Sequence, residues 1–137
     1  MEATKGQALH RELQSEVEAF RQMQADVQNN HRVRQQMLQQ KHENEMVLQE
    51  IKLLDPEAAV YKMIGPALVR QDGNEAQANV GKRLEFIGGE LKRLDSQLAQ
   101  LEDKQSKKQA QLVKLQTELQ RIQQAAQPAG AAGMAAA

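Results

Sequence analysis

The sequence predicts a mainly α protein, a long antiparallel two-helix coiled coil with one β-hairpin at its bend. Three observations carry that prediction. Two long proline-free stretches place apolar residues at three- and four-residue steps. Between them lies "AAVYKMIGPALVRQDG" (Ala58 to Gly73), strand-like with Gly-Pro at its centre. Only three of the 137 residues are aromatic (Phe20, Tyr61 and Phe86) while 22 are Gln, so the chain lacks the large rings that fill a thick core.

The first helix is predicted from Gln7 to Leu54. Leu9, Leu13, Val17, Phe20, Met23 and Val27 form a narrow apolar seam, which weakens through Asn30, His31 and Arg34. It returns at Met37 and Leu38, then at Val47 or Leu48, Ile51 and Leu54. The "LDP" at Leu54 to Pro56 ends it, because proline disfavours helix in the residue before it.

Two five-residue β-prone runs follow, Val60 to Ile64 and Ala67 to Gln71, separated by Gly65-Pro66. Gly supplies the positive φ of a tight turn and Pro pre-sets the next residue. Pairing Ile64 with Ala67 puts Val60, Ile64, Ala67 and Val69 on one face and Tyr61, Met63 and Leu68 on the other. Both faces are then substantially apolar. A lone hairpin is marginal in water and leaves open edges, so this one either folds back on its own helices or pairs with strands of other chains. Pairing with other chains accounts for both apolar faces, and it makes the hairpin an assembly device within an intersubunit β-sheet or barrel.

The second helix is predicted over 74–124. Asn74, or Asp72 with Glu75 three residues on, can start it. Leu84, Ile87, Leu91, Leu94, Leu98 and Leu101 alternate steps of three and four, and Leu112, Leu115, Leu119 and Ile122 resume in register after Gln105 and Lys108. That repeat is a coiled-coil pattern. Residues 125–137 are Ala/Gly-rich and predicted to be a disordered tail, so the whole chain reads as one domain. Each helix would be on the order of 70 Å long at 1.5 Å per residue. Folding about Gly65-Pro66 sets Leu13 opposite the neighbourhood of Leu119 and Gln24 opposite Lys108, and this meeting of polar seam positions predicts a soft joint.

The 18 basic and 18 acidic residues are interspersed, leaving no basic footprint for nucleic acid. The absence of Cys excludes disulfides and thiolate chemistry. No apolar run has the length of a signal peptide or a membrane span, so the chain reads as soluble and intracellular. "HENEM" (His42 to Met46) is one residue from a zinc-protease motif, but Met46 stands where the second His ligand is required. His10, His31 and His42 have no partner His or Cys nearby, and no catalytic constellation or phosphate loop is present. An enzyme, a metal and a cofactor are therefore not expected.

The stretches "VYKMIGPALVRQD" (Val60 to Asp72) and "VGKRLEFIGGELKRL" (Val80 to Leu94) resemble the hairpin and second-helix signature of β-class prefoldin subunits. Tyr61, Lys62, Gly65, Pro66, Leu68, Val69 and Gln71 carry the resemblance in the hairpin, and Arg83, Phe86 and Ile87 in the helix. It extends over roughly Gln7 to Ile122, and one hairpin rather than two is the β-class arrangement. The resemblance implies a cytoplasmic heterohexamer of two α-class and four β-class subunits, this chain with three further β-class partners. Their hairpins would form a double β-barrel from which coiled coils project. It also implies an ATP-independent chaperone that captures unfolded actin and tubulin and delivers them to the cytosolic chaperonin. Gly88-Gly89 departs from the family pattern.

Two sets of residues are thus singled out. Coiled-coil ends fray and leave seam residues partly open. Leu9, Leu13 and Val17 with Leu115, Leu119 and Ile122 are therefore the expected client-binding tip, backed by Leu112 and Phe20. Val60, Tyr61, Met63, Ile64, Leu68, Val69 and Arg70 are the expected assembly hairpin, with Arg70 and Arg83 candidates to pair across it. The competing reading is a structural coiled-coil adaptor or tether that holds no client.

Overall fold

The computed structural model describes residues 2–126. In chain order it contains α1 (Glu2–Leu53), β1 (Val60–Ile64), β2 (Ala67–Gln71) and α2 (Gly73–Ala126). The helices differ slightly from the sequence-based limits, and α1 ends at Leu53 rather than Leu54. α1 begins before Gln7 and takes in Gly6, and Ala125 and Ala126 are helical rather than tail. The rest of the expected tail lies outside the described residues.

The ends of the helices follow from local chemistry. After Leu53, the Leu54 amide still donates to the Ile51 carbonyl at 3.2 Å, and then Pro56 blocks further helix. Asp55 caps the exit: its Oδ1 accepts from the Glu57 amide at 3.1 Å, and its carbonyl accepts from Ala58 at 2.8 Å. Asp followed by Pro suits the first two positions of a type I turn. At the other side the Asp72 carbonyl accepts from the Ala76 amide at 2.9 Å, the first bond of α2. Asp72 is therefore the N-cap, and Glu75 stands in the first turn where a carboxylate favours the helix dipole.

β1 and β2 pair antiparallel with Ile64 opposite Ala67, Met63 opposite Leu68, and Tyr61 opposite Arg70. Gly65 has φ +58°, and no other described residue has a positive φ. A positive φ at only the first of two central turn positions is the II′ arrangement, which matches the twist of the strands it joins. An L side chain at residue 65 would be strained.

By proximity the described residues form two compact units, one combining those up to Gln28 with those from Ala99 onward, the other running from Asn29 to Leu98. In the second unit Ala76, Ile87, Leu91 and Leu94 are buried, and in the first Ile122 is. All of these lie on α2. The α1 seam residues Leu9, Leu13, Val17, Phe20, Met23 and Val27 are only half-buried. Leu101, Leu112, Leu115 and Leu119 of α2 are half-buried like them, so the tightest packing belongs to the stretch of α2 whose heptad is unbroken around Ile87.

The lapse in α1 has a structural use. Asn30 is 5% exposed, and its Nδ2 donates to the Leu94 carbonyl across the helix pair at 3.0 Å. One turn on, Arg34 Nε donates to Asp95 Oδ1 at 2.8 Å. A buried Asn in a coiled-coil seam fixes alignment at some cost in stability, and here its Oδ1 has no partner.

The alignment differs from the turn-centred expectation. Lys108 Nζ lies 2.6 Å from Glu16 Oε2, two turns from Gln24, in an ion pair without hydrogen-bond alignment. Ile122 lies against Gly6, and Leu119 lines one groove with Gly6, Gln7 and His10, a groove to which Leu13 does not belong. Unequal connections cause the shift. Residues 54–59 separate α1 from β1, whereas Asp72 alone separates β2 from α2. The helices therefore pair by counting outward from Leu53 and Gly73, and the expected meeting of polar seam residues at Gln24 and Lys108 does not occur.

Gly88 and Gly89 continue α2, and a Cβ built on either would meet nothing within 4 Å. No close approach within the chain requires them. Replacing each with Ala is expected to raise the stability of the isolated chain by about 1 kcal/mol, the helix-propensity difference. Urea denaturation of Gly88→Ala and Gly89→Ala checks this, and a loss of stability would mean that α2 bends there.

Candidate functional site

The start of α1 and the end of α2 enclose an open groove of about 440 Å³. Leu119, Ile122 and Ala126 form its α2 wall, and Gly6, Gln7 and His10 line the α1 side. Gly6 carries no side chain over Ile122, whose Cγ2 lies 3.8 Å from where a Cβ would sit. Of the six residues expected at a client-binding tip, the groove brings together Leu119 and Ile122. Leu9, Leu13, Val17 and Leu115 stay half-buried in the seam and do not line it. Gly6, Gln7 and His10 escaped the sequence reading because they belong to no apolar repeat, and only the helix pairing places them beside Ile122. Ala126 follows Ile122 by four residues on the same face of α2 but lies beyond the predicted end of that helix.

Charged pairs flank the groove. Arg121 donates to Glu118 at 3.1 and 2.6 Å, and Lys5 of α1 lies 4.0 Å from the same carboxylate. The hydrogen bonds from Arg121 are the main reason that the Glu118 carboxyl is held below the usual carboxylate range, with a smaller contribution from Lys5. A lowered carboxyl stabilises the fold above its ordinary titration range, and this stabilisation is lost as pH falls through the lowered value. Arg93 does the same to Glu90 on α2.

The hairpin is covered only at its base. Val60 and Gln71 are half-buried, and every residue between them is exposed. On one face Met63 is 73% and Leu68 67% exposed, beside Tyr61, while Ile64 and Val69 are exposed on the other. The II′ turn and the Met63–Leu68 pair thus hold apolar side chains out on both sides of a two-stranded sheet whose outer edges are unpaired. Surface apolar groups this concentrated mark an interaction surface. Their arrangement equips the hairpin for adding strands and burying both faces.

Among the described residues no group of three His, Cys, Asp or Glu side chains could hold a metal ion. No described helix is long and apolar enough to cross a membrane.

Comparison with known proteins agrees with this architecture. The sequence profile of a family described as "Prefoldin subunit" matches residues 14–126. The chain is 49% identical over 90 residues to "Prefoldin subunit 6" of Arabidopsis thaliana, a match that covers 66% of this chain and 70% of that one. Its human counterpart of the same name is 44% identical over 90 residues, with the same coverage. Among solved structures, the prefoldin beta subunit from Thermococcus strain KS-1 superimposes with a TM-score of 0.67 at 25% identity, covering 74% of this chain and 89% of that one. Two long helices joined by a single exposed hairpin, together with these matches, establish that the chain belongs to the prefoldin family as a chaperone subunit.

Proposed function

We propose that the chain is one subunit of a heterohexameric, ATP-independent chaperone of two α-class and four β-class subunits. It enters the assembly through its hairpin, holds unfolded clients at the free ends of its helices, and hands them to the cytosolic chaperonin. Actin and tubulin are the clients, and the cytoplasm is the site of action. The observation that carries this reading is the hairpin, whose exposed Tyr61, Met63, Ile64, Leu68 and Val69 have no role in the single chain. Pairing with strands of other subunits, with packing against both faces, would take them out of water.

Support for client holding comes from the groove at Leu119 and Ile122. It is open and largely apolar, and the half-buried Leu9, Leu13, Val17 and Leu115 behind it become available when the last turns fray. Such a surface adapts to many apolar segments, as an unfolded chain requires.

The test replaces Leu9, Leu13, Leu119 and Ile122 with Ser in the assembled hexamer. Suppression of aggregation of unfolded actin or tubulin is expected to disappear while native mass spectrometry still finds the hexamer. A hexamer that holds clients as well as the unaltered one would refute the tip assignment. If the unaltered hexamer also fails to suppress aggregation, the chain acts as a structural adaptor.

A further inference from the structure

A cleft of about 480 Å³ lies beneath the hairpin within the Asn29–Leu98 unit. Its floor is apolar, formed by Val47 and Ile51 of α1, Val60 of β1 and Val80 of α2. Tyr61, Lys62 and Arg83 also line it, and no carboxylate does among the described residues. Neither Lys62 nor Arg83 has an ion-pair partner among the described residues. Both therefore line the cleft as charges without a compensating acid.

We propose that the cleft receives an extended segment of a neighbouring prefoldin subunit, one that carries an apolar side chain next to a carboxylate. Two observations choose this occupant. The charge pattern is one: an apolar floor with two cations and no acid in the lining matches an apolar residue next to a carboxylate, which would pair with Lys62 or Arg83. The other is continuity with the assembly surface, because Val60, Tyr61 and Lys62 belong at once to the cleft and to the strand β1, whose outer edge is free. A segment pairing along that edge runs over the cleft, so its alternate side chains enter it. The subunit interface then extends from the sheet onto the first turns of α2, and Arg83 is a specificity determinant for which subunit sits beside this one. The proposal rests on the hairpin being the assembly surface.

The hexamer containing the full chain is treated with a water-soluble carbodiimide, which joins a lysine amine to a carboxylate as an amide while the reagent takes up the water lost and becomes a urea. Peptide mass spectrometry is expected to find Lys62 joined to an acid of a neighbouring subunit. In competition with the unaltered chain, a chain carrying Lys62→Glu and Arg83→Glu is expected to enter the hexamer about tenfold less often. Lys62→Arg, which keeps the charge, is expected to enter normally and lose the cross-link. Circular dichroism establishes that the altered chains remain helical. An intact hexamer with Lys62 unlinked, and with the charge-reversed chain incorporated as well as the unaltered one, would overturn the proposal. A link from Lys62 to a bound client would overturn it too, by assigning the cleft to client holding. If the unaltered chain enters no hexamer, hairpin-mediated assembly falls and this proposal with it.

Discussion

Replacing Met63 with Glu and Leu68 with Lys in the same chain is expected to exclude it from the hexamer and to leave its own helices intact. The two residues sit directly opposite each other in the hairpin and are 73% and 67% exposed, so the isolated chain loses almost no packing. Opposite charges at directly paired positions support the hairpin rather than splay it. In the assembly the balance reverses. Fully burying a Leu or Met side chain contributes about 1.5–3 kcal/mol, so losing both removes about 3–6 kcal/mol, and taking the new charges out of water costs more. An affinity loss of more than about a hundredfold follows. Native mass spectrometry of the co-expressed subunits reads the result directly, with circular dichroism to show that the altered chain is still helical. Normal incorporation would place the assembly surface elsewhere and leave the exposed apolar hairpin unexplained.

Ile87→Ala is expected to cost the isolated chain about 2–5 kcal/mol, the range for truncating a fully buried aliphatic side chain to Ala. At 1% exposure Ile87 is the most completely buried large side chain described. Neighbouring Phe86 supplies the control. It is 63% exposed on the same turn of α2, so Phe86→Ala is expected to change stability by less than about 0.5 kcal/mol despite the larger side chain removed. Urea denaturation of the two variants beside the unaltered chain separates them. Equal losses would mean that Phe86 is buried in solution, as it would be if the chain self-associated.

The two substitutions also mark how much of the molecule was legible in its sequence. The heptad in which Ile87 falls predicts its burial without a structure, because a residue that repeats every three or four positions must face the partner helix. The II′ turn was legible for a similar reason: only Gly readily supplies positive φ before Pro, and a two-residue turn sets every strand pair that follows. The candidate site was less legible. Leu119 and Ile122 stood out by their repeat, whereas Gly6, Gln7 and His10 join the same groove with no apolar signal. Asn30 read as a lapse in the seam, although it is a buried donor to the Leu94 carbonyl.

By itself the sequence determined the helices, the hairpin and its register, and which faces are apolar, since each of these depends on spacing along a few consecutive residues. Only the tertiary structure decided which residue of α1 meets which residue of α2. That alignment depends on where the helices end, through the unequal connections at 54–59 and Asp72, and the two-fold symmetry of the hairpin carries no information about it. The pairing of Lys108 with Glu16, the groove at Ile122 and the acid-free cleft at Lys62 and Arg83 all depend on it or on the packing of the hairpin against both helices. These contacts join residues far apart in the chain, and a repeat read along one helix does not contain the offset between two.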